Sequence, residues 1–196
     1  MLRTKRTVRK RRWPLGERIG GRIVGMVSTD DRPGEVNDRR VAGAREGDLI
    51  IGRVGATLVG RTTRFLITLG LAAGKDSTGL ADVLIDRVTD LPRHLRGSLT
   101  WDQGAEMAKH AAVTVATDLP IYFAHPHPLW EQPSNENTSK LISEYLPKGV
   151  AITDHQPYLG ANADELDERP RQILGFLTPR EAFERLLFDN ADATKG

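Results

Sequence analysis

The sequence predicts an α/β domain, a mixed five-stranded sheet with helices on both faces. Three observations lead there. Alternation at period two marks three strands joined by tight turns between Asp48 and Leu71. Helical and strand patterns then alternate as far as Ala124, and helix signals follow to about Leu187.

The strands of the first group are Asp48–Val54, Ala56–Arg61 and Arg64–Leu71, an antiparallel meander. Leu80, Leu84, Val88 and Leu91 recur at helical spacing, with Ser77 able to cap the helix and Pro92 ending it. Ser98–Asp102 reads as a strand, Gly104–Ala112 as a helix and Pro120–Ala124 as the fifth strand. The next helix starts at Ser134, just after Pro133. Its stripe is Leu141, Ile142, Tyr145 and Leu146, and Pro147 stops it. Thr178-Pro179-Arg180-Glu181 fits a capping box with proline at the first helical position.

Residues 1–40 read as a basic arm and linker, rich in charges and in Gly and Pro, with Arg22–Val27 as the one stretch suited to a short strand. The domain is expected over 41–190, with 191–196 as a tail. Arg3, Lys5, Arg6, Arg9, Lys10, Arg11 and Arg12 put seven positive charges before Trp13 with no acid among them. The rest of the chain holds 21 basic against 26 acidic residues, a net −5 hidden inside an overall +2. Such an arm repels itself and suits a polyanion, although a solvated tail with no partner has the same composition.

Zero cysteines exclude disulfides, thiol nucleophiles and cysteine zinc sites. No apolar run approaches the ~20 residues that span a membrane, so a cytoplasmic protein is expected. Gly52, Gly55 and Gly60 form no phosphate loop, and no nucleotide cofactor is expected.

Three acids carry the chemistry. Asp48, Asp102 and Glu136 are spaced by 54 and 34 positions. Asp48 lies in a strand beside the apolar run Leu49-Ile50-Ile51, where a buried charge is costly unless paired or metal-bound. Asp102 closes the strand Ser98-Leu99-Thr100-Trp101, so a parallel pairing of the two strands would bring both acids together. Glu136 opens a helix and stands away from its apolar stripe, with Lys140 and Ser143 on its own face. Singly, these are turn and helix-start residues. Jointly, three carboxylates from separate elements can converge at one sheet edge on two Mg²⁺ ions, with Mn²⁺ as a substitute.

The words around these acids are specific. REGDLIIG, LVGRTTRF, LTWDQGAEMAKH, SNENTSKLISEYLPKG and ERPRQILGFLTPREAF, in that order, resemble the catalytic half of the IS30 family of DDE-type insertion-sequence transposases. The resemblance runs from about Arg45 to about Leu187. It implies the ribonuclease H-like integrase catalytic core, with Asp48, Asp102 and Glu136 as catalytic, metal-binding acids. It also implies cleavage and strand transfer of DNA at insertion-sequence ends and in target DNA, by a homo-oligomer associated with the bacterial nucleoid. Water would release a 3′-hydroxyl, which would then attack the target in the same site. DNA contacts are expected from the seven arm residues, from Lys140, and from Arg169 and Arg171, where the family has a similar Arg-Pro-Arg.

The chain also departs from the family pattern. His125 stands where an Asp is usual, and Glu131-Gln132-Pro133 replaces Gln-Arg-Gly. Ser143 occupies the position of an Arg seven residues after the catalytic Glu, a loss that Lys140 offsets only as a point charge. No helix-turn-helix reader precedes the core, so a truncated element is expected. A silent DNA-binding remnant and an ordinary ribonuclease H-like nuclease are the competing readings. His125 and His127 read as loop histidines rather than a zinc pair. Trp101 reads as core, and Trp130 could stack on a base.

Overall fold

β-branched and leucine-rich alternation does form the sheet, with one strand more than expected. The structure, a computed structural model, describes residues 23–37, 41–49, 55–72, 76–125, 141–142 and 155–189. Its strands are β1 (Val27–Ser28), β2 (Ala44–Leu49), β3 (Gly55–Gly60), β4 (Leu66–Gly70), β5 (Ser98–Trp101) and β6 (Ile121–Phe123). They lie in the order β1-β6-β5-β2-β3-β4. The β2-β3-β4 pairs are antiparallel, while β2-β5, β5-β6 and β1-β6 are parallel. The helices are α1 (Gly34–Asn37), α2 (Ser77–Thr89), α3 (His110–Thr117), α4 (Gln156–Asp167) and α5 (Pro179–Asp189). Leu141 and Ile142 are also helical.

The sixth strand moves the start of the packed unit. The sequence reading gives residues 1–40 to a linker, yet Ile23, Thr29, Arg32 and Val36 are buried. Val27 and Ser28 pair in parallel with Tyr122 and Phe123. Behind them, Arg32 donates from Nη1 to Thr100 Oγ1 at 2.8 Å. A two-residue strand amid Gly, Pro and Asp leaves almost no periodicity to read.

Strand alternation divides the core. One sheet face carries Leu58, Leu69, Leu99, Trp101, Ile121 and Phe123, which pack with Leu80, Leu84 and Val88 of α2 and with Val113 of α3. Gly47 sits on this face because the Trp101 ring and a Leu58 methyl fill the space a Cβ would need. Val59 and Leu66 lie on the other face, against Leu159, Ala163 and Leu166 of α4, with Ile142 and Leu141 beside them.

Several local expectations shift. Asp76, not Ser77, caps α2, accepting from the N–H groups of Thr78 (2.8 Å) and Gly79 (3.0 Å). Gly104–Ala112 is not one helix: a 3₁₀ turn at Ala105–Met107 precedes α3. The capping box of α5 forms as read, with Thr178 N–H on Glu181 Oε2 (2.8 Å) and Glu181 N–H on Thr178 Oγ1 (3.1 Å). Helix α4 is new. Its Leu159, Ala163 and Leu166 recur at i, i+4 and i+7, but Gly160, Asn162 and two acids dilute the stripe.

Helix α4 also closes the sheet's open edge. Gln156 accepts Gly70 N–H (2.6 Å) and donates to Thr68 O (2.8 Å), while Asp167 accepts Leu66 N–H at 3.0 Å. Two side chains take the place of a seventh strand on β4.

Candidate acid site

Asp48 and Asp102 meet at the end of two adjacent parallel strands. Ala44, Arg45 and Glu46 face Ser98, Leu99 and Thr100. Two residues further along this register, Asp48 stands beside Asp102. In parallel neighbours, side chains in register project to the same face, so both carboxyls rise on the face covered by α4. Leu141 and Ile142 pack on that same face. Glu136 itself lies outside the described residues.

The electrostatics match this closeness. Desolvation, then the charges of Glu106 and Asp48, push the Asp102 carboxyl up to about 6, with a hydrogen bond from the protonated Asp102 carboxyl to Glu106 adding to the shift and Gly104 N–H opposing it. Asp48 is raised chiefly by desolvation and slightly by Glu106, against the Leu49 N–H that its Oδ1 accepts at 2.7 Å. Carboxyls raised by burial and by neighbouring negative charge have a deficit of positive charge, and a hard divalent cation is the species that oxygen donors of this kind take. The donor chemistry of Asp48 and Asp102 thus fits Mg²⁺ or Mn²⁺. Among the described residues, no group of three or more His, Cys, Asp or Glu side chains is placed to hold a metal ion.

Glu106 is the participant that sequence reasoning missed. It lies within the LTWDQGAEMAKH block, and its separation of four from Asp102 across Gly104 was the available signal. Its Oε1 accepts the Trp101 indole N–H at 3.1 Å. Trp101 is fully buried, in agreement with the core reading. Behind the pair, buried Glu46 meets Arg61 at 3.2 Å on the same face as Asp48.

Other predicted residues scatter. Arg169 and Arg171 follow the C-terminal end of α4, which Asp167 fastens to Leu66 at the start of β4. Since β2 and β4 both run antiparallel to β3, that is the end of the sheet opposite Asp48. There Arg169 pairs with Glu165 at 3.4 Å, and Arg171 donates to Leu166 O at 3.2 Å. Both guanidinia therefore stand at the end of the sheet opposite the acid pair. His125 meets Asp30 at 3.3 Å beyond the end of β6. The basic arm, Lys140, His127, Trp130 and Ser143 lie outside the described residues.

The fold has known counterparts. The structure superposes on the catalytic core domain of BIV integrase with a TM-score of 0.60 at 12% identity, covering 76% of this chain and 99% of that one. Its fold is therefore the ribonuclease H-like one of an integrase core domain. No family model matches the sequence. Among curated proteins, it is 41% identical over 174 residues to transposase InsI of insertion sequence element IS30C from Escherichia coli, covering 87% of this chain and 45% of that protein. It is 38% identical over 195 residues to the transposase of IS1086 from Cupriavidus metallidurans, covering 97% and 56%. The transposase of IS4351 from Bacteroides fragilis is 33% identical over 186 residues, covering 91% and 56%. The chain belongs to the IS30 family of insertion-sequence transposases, and spans about half the length of the curated relatives it matches.

Proposed function

We propose that this chain is the DNA-cutting and DNA-joining core of an insertion-sequence transposase, with Asp48, Asp102 and Glu136 as its catalytic and metal-holding acids. The observation that carries this reading is the placement of Asp48 beside Asp102, two residues past the last paired positions of β2 and β5, on the face where Leu141 and Ile142 pack. A bound pair of Mg²⁺ ions would supply activation of the attacking oxygen and charge stabilisation at the leaving oxygen. The chain's own part is to hold the carboxylates from two rigid strands and a helix. Water attacks the phosphorus at the element's end and the bridging oxygen leaves as a 3′-hydroxyl. That hydroxyl then attacks a target phosphodiester, exchanging one bond for another with no covalent enzyme intermediate.

The partner is DNA, gripped through phosphates by the basic arm and Lys140 and worked on by a homo-oligomer within the nucleoid. No helix of the described residues is long and apolar enough to cross a membrane. The test is nicking of supercoiled plasmid with Mg²⁺ or Mn²⁺. Cation-dependent nicking by the wild-type chain, lost in Asp102→Asn, supports the reading. Strand transfer of a pre-cut end into a second DNA separates it from a plain nuclease. Full DNA binding without any cation-dependent nicking would leave a silent DNA-binding remnant instead.

A further inference from the structure

Glu106 occupies a position that its structural task does not explain. Trp101 points its ring into the core, away from Asp102, and its indole N–H can only donate. Buried, that N–H needs an acceptor, and Glu106 Oε1 provides one at 3.1 Å. Any neutral acceptor of the same length would serve equally well. Instead the residue is a carboxylate, folded back over Gly104 beside Asp102, whose protonated carboxyl donates to it, and its charge reaches both Asp102 and Asp48.

Local backbone chemistry keeps it there. The 3₁₀ turn Ala105–Met107 carries Glu106 back over Gly104, and a Cβ at position 104 would collide with both carboxylate oxygens. Gly104 has an ordinary negative φ of −81°, so glycine is needed for the space it leaves open and not for its backbone angle. Gly104 N–H meanwhile donates to Asp102. The stretch from Trp101 to Glu106 is thus one local unit, in which a core indole, a missing Cβ and a tight turn aim a second carboxylate at Asp102.

We infer that Glu106 is a positioning residue of the acid site, fixed by Trp101 and Gly104 so that its charge orients Asp102 and strengthens the hold of the Asp48–Asp102 pair on a divalent cation. This rests on the metal reading given under Proposed function. Groups standing behind metal ligands typically change metal affinity by about 10- to 100-fold when replaced.

The experiment is Mn²⁺ binding to the full chain by titration calorimetry, with thermal unfolding of the same samples in chelator. Glu106→Gln keeps the length and the indole acceptor but removes the charge. It should weaken Mn²⁺ binding by about 10- to 100-fold and leave the metal-free Tm unchanged. Gly104→Ala, which displaces the carboxylate, should weaken Mn²⁺ binding to a similar degree. Wild-type Mn²⁺ affinity in Glu106→Gln, in a protein whose binding is abolished by Asp102→Asn, would overturn the inference while sparing the metal reading. Failure of the wild-type chain to bind Mn²⁺ at all would overturn both. If Glu106→Gln lowers the metal-free Tm as far as it lowers affinity, the residue is a structural acceptor for Trp101 and the inference fails.

Discussion

The two ends of the sheet are built on opposite principles. At the far end, where β2 and β5 begin, opposite charges and apolar surfaces are matched. Phe65 stacks on Phe183 with centroids 4.3 Å apart and planes 9° from parallel, and Arg180 lies over the Phe65 ring. Arg180 also pairs with Asp164 at 2.7 Å and with Glu168. Arg45 donates to the carbonyls of Gly43 and Leu95. At the near end, where those strands finish, Asp48, Asp102 and Glu106 gather like charges, and burial together with the charge of Glu106 pushes both aspartate carboxyls up. One end holds the fold together, and the other gives up stability to keep a charge arrangement that a cation and DNA could use.

Substitutions at the two ends should separate these roles. Asp102→Asn should lose cation-dependent nicking by a factor of about 10³ or more, since an electrostatic clamp at the transition state is worth several kcal/mol. In chelator the same variant should be at least as stable as wild type, because it removes repulsion. A plasmid assay and a melting curve read both effects. A variant that unfolds while its residual folded fraction stays active would break the comparison. Phe183→Ala, at the far end, should do the reverse. Loss of a half-buried ring and its stacking partner should cost about 2–3 kcal/mol, read by urea unfolding, with Mn²⁺ affinity unchanged.

Asp167 sharpens the comparison, because it is a buried acid at the stable end. Burial is the largest influence and pushes its carboxyl up to about 8, against the Leu66 N–H and the charges of Arg180 and Arg171, with Asp164 adding to the rise. A folded pKa above the unfolded value near 4 means that the native state keeps a proton the unfolded chain releases. Its stabilising contribution is complete below about pH 4 and fades as pH climbs to about 8. The slope has a ceiling of about 1.4 kcal/mol per pH unit. Asp167→Asn still offers Leu66 an acceptor, so it should flatten this decline and be the more stable protein at pH 8. Equal pH slopes for the two proteins, measured by urea unfolding at pH 5, 6.5 and 8, would contradict the assignment.

How much of this was legible follows from where the periodicity is clean. Strands β3 and β4 and helix α2 announce themselves because their apolar residues repeat without interruption. Strand β2 was read as beginning at Asp48, whereas it begins at Ala44. Arg45 and Glu46 look like surface residues until Arg61 and the Leu95 carbonyl are seen to receive them. Helix α4 hides for the same reason: its buried polar ends, Gln156 and Asp167, serve the open edge of β4. Asp48 and Asp102 were legible because a parallel pairing of their two strands would set them together. Glu106 was not, since its placement depends on a 3₁₀ turn where the sequence suggests a plain helix.

The smallest effect concerns the basic arm. Deleting residues 1–12 should weaken binding to all DNA sequences alike and reduce the log–log salt slope by about 0.9 for each phosphate that the arm no longer neutralises. Fluorescence anisotropy at several salt concentrations measures it. An unchanged slope would make the arm a solvated tail.

We propose that the near end is a cation site built by Asp48 and Asp102 with Glu136. Crystals of this chain grown with Mn²⁺, measured at the manganese absorption edge, test it most directly. Anomalous density is expected within about 2.0–2.3 Å of carboxylate oxygens of both aspartates, with Glu136 completing the shell. Mn²⁺ bound elsewhere, or ordered carboxylates at all three positions with no density between them, would contradict it.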